Sequence, residues 1–278
     1  MKTWCRIVFV LALCLNSACA QNDGDQSKHE DHRQHSRQIN KSRQDETPDL
    51  ADGPEGAVRR PHPMSLADLH SKYPSTFVLQ GPRRKREVAL TFDDAPDNNF
   101  TPRILDVLKK EGVSATFFVV GNRVQAHPDV VMRMVREGHQ LGNHTYNHAN
   151  LLKLSDQAFR REIMKTDSLI SQYTGYIPTY VRAPYGNVNE DQLRWLASRH
   201  KINVFWDVDS LDWKGLSAEQ VQTNVLAHVH PGSIILQHAA GGKGEDLSGT
   251  VNALSSIINQ LRNDGVKLVT VSELLDNH

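Results

Sequence analysis

Five short clusters carry the side chains with chemical reach: Thr91-Phe92-Asp93-Asp94-Ala95-Pro96, His144-Thr145-Tyr146-Asn147-His148, Arg182-Ala183-Pro184-Tyr185-Gly186, Trp206-Asp207-Val208-Asp209-Ser210-Leu211-Asp212-Trp213 and Ile234-Ile235-Leu236-Gln237-His238. Adjacent carboxylates directly after an apolar run are costly unless paired or bound to metal; a capped turn is the alternative, since Asp and Pro both favour turns. In a straight strand Asp93 and Asp94 point to opposite faces, but Pro96 ends the strand and leaves room for both to turn one way. His144 and His148, if helical, share one face a turn apart and offer two imidazoles to Zn2+ or a similar ion. Thr145 stands where a zincin metalloprotease needs its Glu base, which argues against that class. With Asp94 the pair makes three protein ligands and one open position, the arrangement of a catalytic metal, and Asp93 is then left over as a base. Arg182 could pair with a carboxylate or be a surface Arg on a turn. The acidic cluster brings three carboxylates and two tryptophans whose faces suit sugars; a core Trp beside a solvated loop is the plainer alternative. His238 could serve as a general acid if a neighbouring carboxylate keeps it protonated, or be a satisfied core histidine.

These clusters need elements to hold them. The pattern predicts strands over 88–92, 114–120, 180–182, 202–206, 233–237 and 266–271. It predicts helices over 101–111, with Thr101 as N-cap and Gly112 past the end, and over 128–137, 155–173, 189–199, 218–229 and 251–262. Strands alternating with helices imply parallel βαβ units. Seven or so units in about 200 residues suggest an α/β barrel, complete or incomplete, whose chemistry collects at the C-terminal ends of the strands.

The remainder bounds the protein's setting. The chain has 278 residues and zero formal net charge, which argues against a nucleic-acid partner. Lys2 and Arg6 precede an apolar run over 7–15, and Ala18-Cys19-Ala20 reads as a cleavage site, so residues 1–20 are expected to be a secretory signal peptide. All three cysteines, Cys5, Cys14 and Cys19, fall inside it. A lipid on Cys19 is the rival, though Asn16 stands where a bulky aliphatic is expected. Residues 21–60 lack aromatics and carry few aliphatics, the composition of a disordered tether; the folded domain is expected over 61–278.

In this order and at these strand ends, the five clusters resemble the signature of the polysaccharide deacetylase family, carbohydrate esterase family 4, with its NodB-like domain. The resemblance covers about residues 66–275. It implies a distorted (β/α)7 barrel with Asp93 as catalytic base and Asp94, His144 and His148 as ligands of one divalent metal ion, usually Zn2+, with Co2+, Mn2+ or Ni2+ tolerated. It implies that Arg182 holds the base, that the Tyr185 N–H donates to the oxyanion, that His238 is the acid with Asp212 as its partner, and that Trp213 and Leu236 wall the acetyl pocket. Ala95, Ala183 and Ala239 depart from the usual Gly, Pro and Asp without removing a catalytic side chain. The implied activity is hydrolysis of N-acetyl groups on an N-acetylglucosamine-type polysaccharide (peptidoglycan, chitin oligomer or poly-GlcNAc), releasing acetate, by a secreted or envelope-associated monomer with no obligate protein partner. The alternatives are an O-acetyl esterase on xylan, a non-catalytic wall-binding module and a structural surface protein.

Overall fold

The molecule's central strand is buried along nearly its whole length, and its two faces go to different layers. In this computed structural model, which describes residues 47–58 and 65–276, strand β2 (Glu87–Ala95) follows β1 (Phe77–Val78). Val88, Leu90 and Phe92 pack into one apolar cluster, and Ala89 packs into the other. Side chains alternate with period two, so Thr91 and Asp93 share the Ala89 face. The next strands are β3 (Thr116–Val119), β4 (Gln140–Asn143), β5 (Tyr180–Val181), β6 (Ile202–Val204), β7 (Val208–Asp209), β8 (Ile234–His238) and β9 (Lys267–Val269). Every pairing is parallel, in the order β1-β6-β5-β4-β3-β2-β8-β7, with β9 on β2. No pairing joins β1 to β7 among the described residues, so the curved sheet stays open. This is the distorted, incomplete (β/α)7 barrel. On β8, Ile234 and Leu236 face inward with Ala89, Phe118 and Val181, while Ile235 faces the helices; His238 continues the inward row.

Helices α1 (Glu55–Val58) and α2 (Leu66–Lys72) precede the barrel, and α3 (Phe100–Glu111), α4 (Gly121–Ala126), α5 (Pro128–Arg136), α6 (Asp156–Thr174), α7 (Glu190–Ser198), α8 (Ala218–Leu226), α9 (Ser248–Asn263) and α10 (Val271–Leu275) follow. Local signals explain several ends. Ser155 caps α6 and Gly175 closes it at φ 78, where a residue without Cβ fits the left-handed turn. Asn189 and Gln192 form a reciprocal capping box on α7. None of the described helices is long and apolar enough to cross a membrane.

The structure adds β4, β7 and α4, among others, to the elements read from the sequence, and it differs elsewhere. Helix α3 begins at Phe100 with Asn99 as its N-cap; Thr101 lies inside it, its hydroxyl bonded to Asp97 N–H and Ala239 O. The condition under which His144 and His148 would share a helical face is not met: residues 144–148 are a loop, in which Thr145 and His148 both take positive φ. Residues 47–58, expected within the tether, lie against the barrel with Leu50 and Glu55 buried. The expected leader at 1–20 and Cys19 fall outside the described residues.

Candidate metal and catalytic centre

The end of β2 resolves the problem of two adjacent carboxylates. Asp94 adopts φ 67, which breaks the alternation, and the ladder to β3 slips between Phe92 and Ala95, a bulge of the kind that re-aims side chains near active sites. Both carboxylates therefore reach the same imidazole: His144 Nε2 lies 3.7 Å from Asp93 Oδ2 and 3.5 Å from Asp94 Oδ1. Arg123, wholly buried, donates to the Asp94 carbonyl at 2.9 Å and fixes the turn.

His144 and His148 come together through loop geometry, their ring centroids 4.8 Å apart. His144 Nδ1 donates to the Arg182 carbonyl at 2.8 Å. His148 Nδ1 lies 3.2 Å from Tyr185 Oη, whose own proton goes to Gly53 O at 2.7 Å. With both Nδ1 atoms serving as donors, assigned from these partners, both Nε2 lone pairs face inward. His148 Nε2 lies 3.1 Å from Asp94 Oδ1, a buried oxygen with no hydrogen-bond partner. Three potential ligand atoms thus converge within 4.8 Å of one another. A divalent cation satisfies such a set, so the residues fit the expected metal. Burial, aided by His144, holds His148 well below the usual imidazole range, which keeps it a neutral ligand.

The loop is held from outside. Glu162 on α6 accepts the N–H groups of Tyr146 and Asn147, each at 2.8 Å. Asn143 accepts the Thr145 N–H at 2.8 Å and donates to Ile163 O and Asp167. Such outer partners typically set metal affinity by ~10–100-fold. Glu162→Ala is expected to weaken Zn2+ binding by about that factor with the fold intact, read by chelator competition; unchanged affinity would remove Glu162 from the account.

Asp93 and Arg182 form a buried ion pair, Nη1 to Oδ1 at 2.8 Å. Arg182 also donates to Thr91 Oγ1, Val204 O and Phe205 O, and its guanidinium lies 4.2 Å from the Phe118 ring centroid. On the neighbouring strand His238 is the register partner of Asp93. Its Nδ1 bonds Asp212 Oδ1 at 2.7 Å, while Asp212 Oδ2 accepts the His238 N–H and the Thr250 hydroxyl. Burial is the largest influence on His238 and disfavours its charge, but Asp212, with Asp94 and Asp93, outweighs it and lifts His238 well above its ordinary range.

These contacts bring together Asp93, Asp94, His144, His148, Arg182, Tyr185, Asp212 and His238. Leu236 is buried on the inward row of β8, and Trp213, next in the chain to Asp212, stays partly exposed. Of the three acidic-cluster carboxylates only Asp212 bonds His238; Asp207 caps the start of β8 through Ile234 N and Ser233 Oγ. Trp206 stacks on Phe205 at 3.9 Å in the core, so it offers no face to a sugar. Arg123, Glu162, Asn143 and Thr250 escaped the sequence reading. Among the described residues six non-glycines take positive φ, and five of them, Asp94, Thr145, His148, Tyr185 and Leu211, belong to the centre or its immediate neighbours. Such conformations cost ~1–3 kcal/mol each and gather at functional sites.

This open parallel barrel, with an Asp-His-His set that could hold a metal ion beside a second buried carboxylate, has the architecture of a carbohydrate deacetylase. The chain belongs to the polysaccharide deacetylase family: the family of that description matches residues 80–205. A peptidoglycan-N-acetylglucosamine deacetylase of Bacillus cereus is 46% identical over 198 residues, 71% of each chain. A peptidoglycan-N-acetylmuramic acid deacetylase of Bacillus subtilis is 40% identical over 191 residues, 68% of this chain and 39% of that longer one. A solved peptidoglycan N-acetylglucosamine deacetylase, bound to 4-naphthalen-1-yl-N-oxidanyl-benzamide, superposes with TM-score 0.71 at 44% identity, covering 75% of this chain and 95% of that one.

Proposed function

We propose that the protein is a Zn2+-dependent N-deacetylase of the bacterial cell wall, releasing acetate from N-acetylglucosamine residues of peptidoglycan and acting outside the cytoplasm as a monomer. The observation that carries this reading is the pairing of Asp93, tied to Arg182, with His238, tied to Asp212, beside three converging ligand atoms. The choice of sugar rests on the activities of the relatives named above.

A divalent ion on Asp94, His144 and His148 would supply Lewis acidity at the acetyl carbonyl. Arg182 orients Asp93 to take the proton of the attacking water. The Tyr185 backbone N–H donates to the oxyanion, and the strained φ 60 of Tyr185 fixes where that group points. His238, protonated and held through Nδ1, presents Nε2 to the leaving nitrogen and gives it a proton. Leu236 and Trp213 line the space for the acetyl methyl.

Acetate release should be measured on N-acetylated peptidoglycan, chitooligosaccharide and acetylxylan. Release from peptidoglycan and chitooligosaccharide, with little from xylan, is expected. Preference for acetylxylan would turn the reading to an O-acetyl esterase, and no release from any of the three would contradict it.

The pH profile follows from His238. A raised imidazole keeps its proton below its shifted pKa and loses it as pH climbs through that value, so activity should persist above the ordinary 6.5. Asp212→Asn removes the charge that lifts His238. The alkaline limb of kcat/KM should then move to lower pH at full metal loading, which matters because the ligands titrate too. An unmoved limb would mean that Asp212 does not tune His238.

A further inference from the structure

Residues 47–58 cross the mouth of the barrel and touch nearly every loop of the centre. Thr47 Oγ1 lies 2.8 Å from His127 Nε2. Arg123 Nε donates to Pro48 O at 2.9 Å, and Lys243 N–H to Asp49 at 3.2 Å. Ala51 N–H donates to Asn147 O at 3.0 Å, inside the His144–His148 loop. Asp52 accepts the Asn150 N–H at 2.8 Å and Lys153 Nζ at 2.6 Å. The Tyr185 hydroxyl ends on Gly53 O, and Gly56 packs so closely on Trp213 that a Cβ there would lie 3.2 Å from its ring. Three residues span at most about 11 Å, so Pro54 and Glu55 link the Tyr185 hydroxyl to Trp213, one wall of the proposed acetyl pocket.

With this segment in place, Asp93, Asp94, His144, His148, Tyr185 and His238 are each 4% exposed or less. Reacting atoms must come within ~3–3.5 Å of the groups that act on them, and a polysaccharide cannot do so through a layer of main chain. The layer is nonetheless lightly held. Leu50 is its one buried apolar side chain in 47–56, beside the buried carboxyl-bearing Glu55. Its other anchors are hydrogen bonds, of which those from Lys153 and Lys243 are exposed and the rest only partly buried, and a segment with so few apolar contacts can open without unfolding the domain.

We infer that residues 47–58 are an autoinhibitory strap, seated in the substrate groove and displaced when polymer binds. The nature of the polymer rests on the deacetylase reading; the closure does not. Only the open fraction binds ligand, so apparent affinity is reduced by that fraction, and loosening the strap tightens binding. A groove wall would behave in the opposite sense, since loosening it would weaken binding.

The test uses the full chain loaded with Zn2+, as wild type, as Asp52→Ala, and as Asp52→Ala combined with Leu50→Asp, which also removes the apolar anchor. Amide exchange over 47–58 should be protected in the wild type and fast in the double variant. KM for a chitooligosaccharide should fall roughly 5- to 50-fold with kcat little changed, the size expected from losing one or two modest contacts. The affinity for acetohydroxamic acid, a small metal-directed probe, should tighten by a similar factor. The hydroxamate arm reads the strap even if no glycan releases acetate, so failure of the deacetylase reading stays distinguishable. Unprotected exchange in the wild type, or KM and hydroxamate affinity that stay level or worsen once the strap is free, would overturn the inference.

Discussion

Asp93→Asn is expected to lower kcat by ~10²–10⁴-fold, the usual contribution of a general base, while zinc content and thermal stability stay near wild type. The amide keeps the shape of the carboxylate and one oxygen able to accept from Arg182. Removing one partner of a buried ion pair ordinarily costs ~3–5 kcal/mol, because a charge is left uncompensated. Here Arg182 retains Thr91 Oγ1, Val204 O and Phe205 O, so the stability loss should fall well short of that range. The ligand atoms are untouched, since the converging set is Asp94, His144 and His148. Rate and metal content should therefore separate. Near-wild-type turnover at full zinc loading would remove Asp93 from the proposed role, and loss of zinc would mean that it is a ligand.

His144→Ala is expected to do the reverse and take metal and activity together. His144 supplies one of three ligand atoms and sits between both carboxylates, 3.5 Å from Asp94 Oδ1 and 3.7 Å from Asp93 Oδ2. Partners outside the ligand shell already set metal affinity by ~10–100-fold, so deleting a ligand should exceed ~100-fold. Elemental analysis after gel filtration should find the variant depleted in zinc, with acetate release at background. Stoichiometric zinc in the purified variant would contradict the assignment. Circular dichroism controls for the fold, since His144 also donates to the Arg182 carbonyl.

What was legible in the sequence is what periodicity controls. The inward rows of β2 and β8 follow from alternation, and they bring Asp93 opposite His238. Ser155 and Gly175 mark the ends of α6 as cap chemistry requires. What was not legible depends on contacts remote in the chain. Whether 144–148 is helical stays open in the sequence; it is a loop whose Tyr146 and Asn147 N–H groups go to Glu162, 16 and 15 residues onward, and no local pattern announces that bond. Arg123 looks like an ordinary helical Arg until the Asp94, Pro48 and Gly241 carbonyls are seen around it. Thr250 reaches Asp212 across 38 residues. Strand β4, Gln-Leu-Gly-Asn, has weak strand propensity and forms because β3 and β5 flank it. The segment 47–58 was assigned to a tether on composition, which cannot register that its main-chain groups find partners on the barrel.

Titrating zinc into the chelated protein while measuring acetate release from N-acetylated peptidoglycan tests the account most directly. The account predicts background release without metal, a rise in proportion to zinc bound, and a plateau at one ion per chain. Full acetate release by protein shown to be metal-free would contradict it.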